Sequence, residues 1–145
     1  RPVETSEAFT ADGWYRTGDL GSVDDGGYVF LVDRAKDMIV SGGENVYTTE
    51  VENALASHPA VLELAVFGIP HDQWGEAVHA EVVLKDGASA TEDELIAHCR
   101  ASIAGFKVPR SVTIRTEALP KSGAGKILKR DLRAPYWEQR DSVIS

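Results

Sequence analysis

Lys126 is the residue whose sequence surroundings most suggest chemistry. It directly follows the small-residue run SGAG within PKSGAGKILKRDLR, residues 120–133. Gly123 and Gly125 allow backbone conformations that other residues avoid, so the loop can bend or hinge. A lysine on such a loop is either a solvated surface group or a point charge with three donors that is delivered to an anionic ligand. The segment alone leaves both interpretations open.

Composition narrows the classes of protein to which this chain can belong. Its 145 residues suffice for one ordinary domain, and 15 Lys+Arg against 23 Asp+Glu give a net charge of −8, which argues against general nucleic-acid binding. No apolar run reaches the roughly 18 residues of a transmembrane helix, and we expect no signal peptide. Cys99 is the single cysteine, so we expect a small buried hydrophobe and a cytoplasmic setting.

The order of apolar runs and turn signals predicts the elements that must position Lys126. Asp and Gly at 24–27 separate two strand-like runs, residues 14–20 and 28–32, and predict a hairpin. Capping boxes at Thr49 and Thr91 predict two helices, the first through about residue 57 and the second through about residue 103. The remaining elements are a short strand at 38–40, strands at 61–69, 77–84 and 111–115, and a final helix at 126–133.

The chain therefore reads as an α+β protein with a small three-stranded sheet covered by helices. Residues 1–33 look like a β-hairpin that belongs to a preceding domain, residues 34–36 like a hinge, and residues 37–145 like a small lid domain. The opening RPVETSEAFT contains no methionine and no obvious first element. We expect the chain to be a fragment of a longer polypeptide.

Four motifs in this order closely resemble the C-terminal part of the adenylate-forming enzymes. These enzymes include acyl- and aryl-CoA synthetases, peptide-synthetase adenylation domains and firefly luciferase. The resemblance covers nearly the whole chain. The amino-acid sequences of the motifs SGGENVY and PKSGAGKILKRDLR are most similar to those of the fatty-acyl-CoA ligases. The motifs are YRTGD at 15–19, DRAKDMIVSGGEN at 33–45, TEVE at 49–52 and PKSGAGK at 120–126.

The resemblance implies a two-step ligase reaction. A carboxylate attacks the α-phosphate of ATP, accompanied by Mg²⁺, to give an acyl-adenylate and pyrophosphate. The thiol of coenzyme A then displaces AMP to give the thioester. A large N-terminal domain holds the nucleotide and acyl pockets, and a small C-terminal domain closes over them and rotates between the steps. The chain's own N-terminal domain is thus an expected partner, together with ATP, CoA and a carboxylic acid.

Several residues inherit expected roles from the resemblance. Lys126 matches the catalytic lysine of the adenylation step, where an ammonium stabilises the charge that builds on the phosphate. Asp19 matches the carboxylate that accepts hydrogen bonds from both ribose hydroxyls. Arg34 matches an arginine that contacts the ribose or phosphates. Their structural alternatives are a surface lysine, a turn aspartate and a surface arginine.

The hinge and the CoA channel are also expected on this basis. Lys36 matches the hinge residue, although a plain linker lysine is the alternative. Gly42 and Gly43 match the glycines beside the second-step site, where a Cβ would narrow the path of the pantetheine arm. Gly43 is the better match for the channel glycine, and a tight turn with positive φ could hold alongside that role.

The sequence also departs from the family pattern and leaves alternatives open. Thr48 stands where many relatives have proline, and lysine replaces the hinge aspartate of many bacterial CoA ligases. The phosphate loop, adenine pocket and acyl pocket are absent, so we expect the fragment alone to be inactive. An aryl-CoA ligase, a peptide-synthetase adenylation domain or a non-catalytic binding module remain alternatives. The absence of a carrier-protein domain after DSVIS favours a free-standing ligase.

Four smaller expectations concern metals, the basic run, acetylation and membranes. The four histidines have no metal-ligand spacing, so no metal site is expected. The basic run from Lys126 to Arg133 could meet the 3′-phosphate of CoA or form a solvated helix face. Lys126 is also a candidate for reversible acetylation by an acetyltransferase and deacetylase, by resemblance. Membrane association is left as a property of the missing domain.

Overall fold

Residues 2–144 are described by the computed structural model, with side-chain surroundings to residue 140, and the chain divides after Lys36 into two units. Residues 1 and 145, the outer limits of the two expected domains, lie outside the described residues. No helix within 2–144 is long and apolar enough to cross a membrane.

The N-terminal unit contains the expected β-hairpin. Its elements are α1 (Pro2–Glu7), β1 (Asp19–Val23) and β2 (Val29–Arg34). The turn forms because Asp24 Oδ1 accepts hydrogen bonds from the backbone N–H groups of Gly26 and Tyr28, at 2.9 Å each. The predicted first strand began at residue 14, but β1 begins at Asp19. Helix α1 was not predicted, since its six residues carry no apolar periodicity.

The C-terminal unit contains five strands, three α-helices and a short 3₁₀ turn. They are β3 (Ile39–Ser41), β4 (Glu44–Val46), α2 (Thr48–Ala56), β5 (Val61–His71), β6 (Gly75–Leu84), α3 (Glu92–Arg100), the 3₁₀ turn Gly105–Lys107, β7 (Ser111–Arg115) and α4 (Lys129–Ile144).

Strand β6 is the centre of the sheet. It pairs antiparallel with β5 along its length, parallel with β7, and antiparallel with β3 where Ser41 faces Gly75. The three strands predicted from sequence are therefore present and adjacent, and the α+β class is confirmed. The sheet has five strands rather than three because β3 and β4 form a hairpin that joins it.

Both faces of the sheet are covered, and alternate residues of β5 show this. Val66 packs with Val51, Leu55 and other residues of α2 and α3, whereas its neighbours Ala65 and Phe67 pack with Leu119 and Leu132 on the opposite face. A strand that is buried on both faces reads as a continuous apolar run, which explains the composition of residues 61–69.

Three local predictions differ from the structure: the capping box at Thr49, the start of the last helix and the loop at residues 70–75. The capping box of Thr91 with Glu94 forms as predicted. The one predicted at Thr49 does not, because α2 begins at Thr48 with Tyr47 as its N-cap. The last helix begins at Lys129, so Lys126 precedes it. Residues 70–75, predicted as a loop, belong mainly to the long β5–β6 hairpin.

Candidate functional site

Lys126 directly follows the tip turn of a closed hairpin, here called the lysine hairpin, residues 120–128. The N–H of Ser122 donates to the carbonyl of Lys126 at 2.8 Å, and the N–H of Leu128 donates to the carbonyl of Pro120 at 2.8 Å. The N–H of Gly125 closes the turn by donating to Ser122 O at 2.8 Å, with φ of +80° at Gly125. These bonds define the backbone conformation of the loop that was predicted from its glycines.

The ammonium of Lys126 is exposed and makes no hydrogen bond or ion pair with any residue that the structure describes. Its neighbours differ in this respect. Lys121 Nζ lies 2.5 Å from Glu63 Oε2, and Lys129 Nζ lies 2.9 Å from Glu52 Oε1. Lys126 is therefore the cation of this segment that remains available for a ligand from outside the described chain.

Helix α4 is joined to α2 directly after the lysine hairpin. Lys129 Nζ donates to Thr48 Oγ1 at 2.9 Å as well as pairing with Glu52. Glu52 Oε1 also accepts the N–H of Val66 on β5, at 3.0 Å. The carboxylate that sequence reasoning assigned to a capping box thus connects α2, β5 and α4.

Gly42 and Gly43 form the two-residue turn of the β3–β4 hairpin, here called the glycine turn. Their φ values are +60° and +86°, the left-handed values that a type I′ turn requires at both positions. A Cβ at Gly42 would lie 3.5 Å from Trp74 Cδ1, whereas a Cβ at Gly43 would meet nothing within 4 Å. The turn therefore presents Gly43 to open space.

Trp74 forms a flat surface beside this turn. Its carbonyl accepts the N–H of Gly42 at 3.0 Å, and its ring stacks on His71 with centroids 4.1 Å apart. The guanidinium of Arg110 lies 4.4 Å from the Trp74 ring centroid. Sequence analysis missed this cluster, because Arg110 comes to Trp74 only when β7 pairs with β6.

Glu76 fixes the strand that leads into the glycine turn. Its Oε2 accepts the N–H of Val40 on β3 at 2.9 Å, and its Oε1 accepts from Arg133 on α4 at 2.7 Å. The basic run after Lys126 is therefore largely engaged within the unit, since Lys129 and Arg133 both have carboxylate partners.

Asp19 and Arg34 lie together in the N-terminal unit. They are directly opposite in the β1–β2 register, and Arg34 Nε lies 3.2 Å from Asp19 Oδ1. The preceding turn is set by Gly18, with φ of +76°, and by the N–H of Asp19, which donates to Thr17 Oγ1 at 3.1 Å. A carboxylate and a guanidinium side by side provide an acceptor for hydroxyls and a donor for phosphate oxygens.

Three further expectations concern Lys36, a metal site and Cys99. Lys36 is the last residue of the N-terminal unit. In the part of the chain that the structure describes, no three His, Cys, Asp or Glu side chains are grouped as a metal site. Cys99 is fully buried.

A helix-covered sheet with an exposed lysine on a closed hairpin agrees with the resemblance to the C-terminal part of the adenylate-forming enzymes. Residues 50–126 match the family described as the AMP-binding enzyme C-terminal domain. The chain belongs to this family.

Relatives with curated names are CoA ligases. A feruloyl-CoA synthase of an Amycolatopsis species is 50% identical over 136 residues, which are 94% of this chain and 27% of that protein. A long-chain-fatty-acid–CoA ligase of Mycobacterium tuberculosis is 46% identical over 136 residues, 94% of this chain and 26% of that protein. The chain thus spans about a quarter of the length of the relatives it matches.

Solved structures show the same fold. ATP-bound MatB from Rhodopseudomonas palustris matches with a TM-score of 0.85 and 39% identity, over 93% of this chain and 27% of that one. The o-succinylbenzoate CoA synthetase MenE from Bacillus subtilis, in complex with its acyl-adenylate, matches with a TM-score of 0.79 and 40% identity over 88% of this chain and 26% of that one.

Proposed function

We propose that this chain is the C-terminal part of an AMP-forming acyl-CoA ligase that makes an acyl-adenylate and then an acyl-CoA. The observation that carries the proposal is the unpaired ammonium of Lys126 on a closed hairpin. As the acid attacks the α-phosphate of ATP, negative charge builds there, and a positioned cation stabilises it. The names of the relatives support the same two-step chemistry.

The other site residues serve the two steps in this proposal. Asp19 binds the ribose hydroxyls, and Arg34 contacts the ribose or phosphates. Lys36 is the hinge between the steps. Gly42 and Gly43 line the path of the pantetheine arm, while Arg110, whose guanidinium lies over Trp74, offers a cation to the phosphates of CoA. The Mg²⁺ that accompanies ATP is assigned mainly to the domain upstream.

The missing N-terminal domain is the expected partner of the hairpin in the N-terminal unit. The apolar side chains of this hairpin are exposed on both of its faces, which isolated two-stranded sheets do not tolerate well. The exposed set is Val23, Tyr28, Val29, Phe30 and Leu31. A covering domain would bury them, and without it the fragment is not expected to be active.

We assign the carboxylic acid substrate to the long-chain fatty acids, because of the sequences of the motifs and the similarity to the mycobacterial ligase. An aromatic acid is the second candidate, because the identity to feruloyl-CoA synthase is slightly higher than that to the mycobacterial ligase. The determinants of the acyl pocket belong to the upstream domain, so a panel of both acid classes decides between them.

The test uses the full-length protein and separates the two steps. Lys126→Ala is compared with wild type in pyrophosphate exchange over fatty and aromatic acids, and in thioester formation from supplied acyl-adenylate. We expect exchange to fall about 10²- to 10³-fold while thioester formation persists. Lys85→Ala is the matched control, since that lysine bonds only the carbonyl of Pro59. Unchanged exchange in Lys126→Ala would refute the proposed role.

We further propose that acetylation of Lys126 switches the adenylation step off. The side chain is exposed, and acetylation would remove the charge on which the step depends. Mass spectrometry of the native protein from several growth conditions should find the modified residue. Its absence under every condition would count against this regulation, without affecting the catalytic role.

A further inference from the structure

The position of Lys126 depends on how the base of the lysine hairpin is attached to the sheet. The tip itself has little support, because a Cβ added at Gly123 or Gly125 would meet nothing within 4 Å. The hairpin's own backbone bonds hold its two arms together but do not orient them relative to β5. Contacts at the base must therefore set the direction in which the ammonium points.

Both carboxylate oxygens of Glu63 contact the first arm of the hairpin and its approach. Oε1 accepts the backbone N–H of Leu119 at 2.8 Å, and Oε2 lies 2.5 Å from Lys121 Nζ. These bonds lower the pKa of Glu63 below its ordinary value, led by the bond to Lys121, so the group is ionised at neutral pH. Charge-assisted bonds of this kind are short and directional.

Apolar packing at the same place cannot by itself orient the lysine hairpin relative to β5. Leu119 is buried at 3% exposure among Ala65, Phe67 and Leu132, but hydrophobic contacts are non-directional. Glu63 also lies where the β5–β6 register shifts, between Val61 and Glu63. Such irregularities re-aim a side chain. Here the result is a carboxylate aimed at the lysine hairpin.

We propose that Glu63 is a positioning residue, which acts through Leu119 and Lys121 to hold Lys126 where the adenylation step requires it. The inference rests on the proposed role of Lys126 in adenylation. It predicts a defect confined to one half-reaction, because Glu63 contacts the lysine hairpin and not the glycine turn. Loss of a merely structural carboxylate would instead weaken both half-reactions together.

The matched control is Glu92→Ala. Glu92 Oε1 accepts the N–H of Val112 on β7 at 3.0 Å, so this variant also removes a carboxylate from a backbone N–H of the same sheet. It touches neither the lysine hairpin nor the glycine turn. Any general loss of stability from removing such a bond should therefore be shared by Glu92→Ala and Glu63→Ala.

The experiment measures both half-reactions of the full-length enzyme in Glu63→Ala, Glu63→Gln, Glu92→Ala and Lys126→Ala. We expect Glu63→Ala to lower kcat for pyrophosphate exchange by about 10- to 100-fold, since a displacement of about 1 Å can cost about 10²-fold. Thioester formation from supplied acyl-adenylate should stay near wild type. Glu63→Gln should be intermediate, because its amide oxygen can still accept the N–H of Leu119.

Hydrogen exchange adds a readout that does not depend on activity. The amides of residues 119–128 should exchange faster in Glu63→Ala than in wild type or Glu92→Ala. The inference is overturned if Glu63→Ala exchanges pyrophosphate like wild type while Lys126→Ala does not, or if it weakens both half-reactions equally. If Lys126→Ala itself leaves pyrophosphate exchange unchanged, the proposed function fails first.

Discussion

Adding one methyl group at Gly43 would test the proposed CoA path more sharply than any larger change. Gly43→Ala and Gly42→Ala alter neighbouring residues of the same turn, and both residues have positive φ, +86° and +60°. An alanine in this region costs about 1–2 kcal/mol of backbone strain. We expect both variants to lose similar stability, about 1 kcal/mol after the smaller entropy of the unfolded alanine chain is counted.

The two variants should differ in chemistry because their methyl groups point to different surroundings. The Cβ at Gly42 would make an ordinary contact with Trp74 at 3.5 Å, while the Cβ at Gly43 would meet no atom of the described residues within 4 Å. Any effect of Gly43→Ala beyond the shared strain must then come from something outside the described chain. The proposal names the pantetheine arm of CoA as that object.

The assay measures thioester formation from supplied acyl-adenylate at varied CoA in the full-length enzyme, with pyrophosphate exchange and urea unfolding alongside. We expect Gly43→Ala to slow thioester formation about tenfold or more, since small displacements near the reacting atoms are costly. Pyrophosphate exchange should remain near wild type, and Gly42→Ala should be affected less. Equal thioester rates for Gly43→Ala and wild type, with the stability loss present, would refute the channel role.

Three further predictions concern the stability and reactivity of the C-terminal unit. Leu95→Ala, at a fully buried position, should lower the unfolding free energy by about 2–5 kcal/mol in urea titration; a loss far below this would mean that the core closes around the cavity. The lowered pKa of Glu63 means that its ionised form stabilises the fold above its ordinary pKa of 4.5, and that this contribution disappears as pH falls through the lowered value. The difference in unfolding free energy between wild type and Glu63→Gln should therefore shrink below pH 4.5, and a difference that grows in acid would contradict the assignment. Burial raises the pKa of the Cys99 thiol to about 11, so a thiol reagent at about pH 8 should modify it only after unfolding, and rapid labelling of native protein would contradict its burial.

Elements that depend on contacts between neighbouring residues, or on the composition of a single segment, were predictable from the sequence. The capping box of Thr91 and Glu94 forms because both partners lie within one helical turn. The hairpin at 24–27 forms because Asp24 bonds backbone groups two and four residues away. The strand at 61–69 was predicted because a strand buried on both faces needs a continuous apolar run, and the strand at 77–84 was predicted from its alternating pattern.

Elements that depend on contacts between residues far apart in the sequence were not predictable in this way. Thr49 and Glu52 have the spacing of a capping box, but Glu52 bonds Val66 and Lys129 instead. Strands β3 and β4 enter the sheet through the pairing of Ser41 with Gly75, which no local pattern signals. Arg110 reaches Trp74 through the parallel pairing of β7 with β6, which no local pattern signals either.

The family and most of the elements could be predicted from residue types and motifs alone. The four motifs identified the family, and the residue types named a lysine, a carboxylate and two glycines as the candidates. The tertiary structure was needed to show which lysine of residues 120–133 has no carboxylate partner among the described residues, because these ion pairs join residues far apart in the chain. Leu119 meets Glu63 across 56 positions, and that contact braces Lys121 and its hairpin while Lys126 remains open to a ligand.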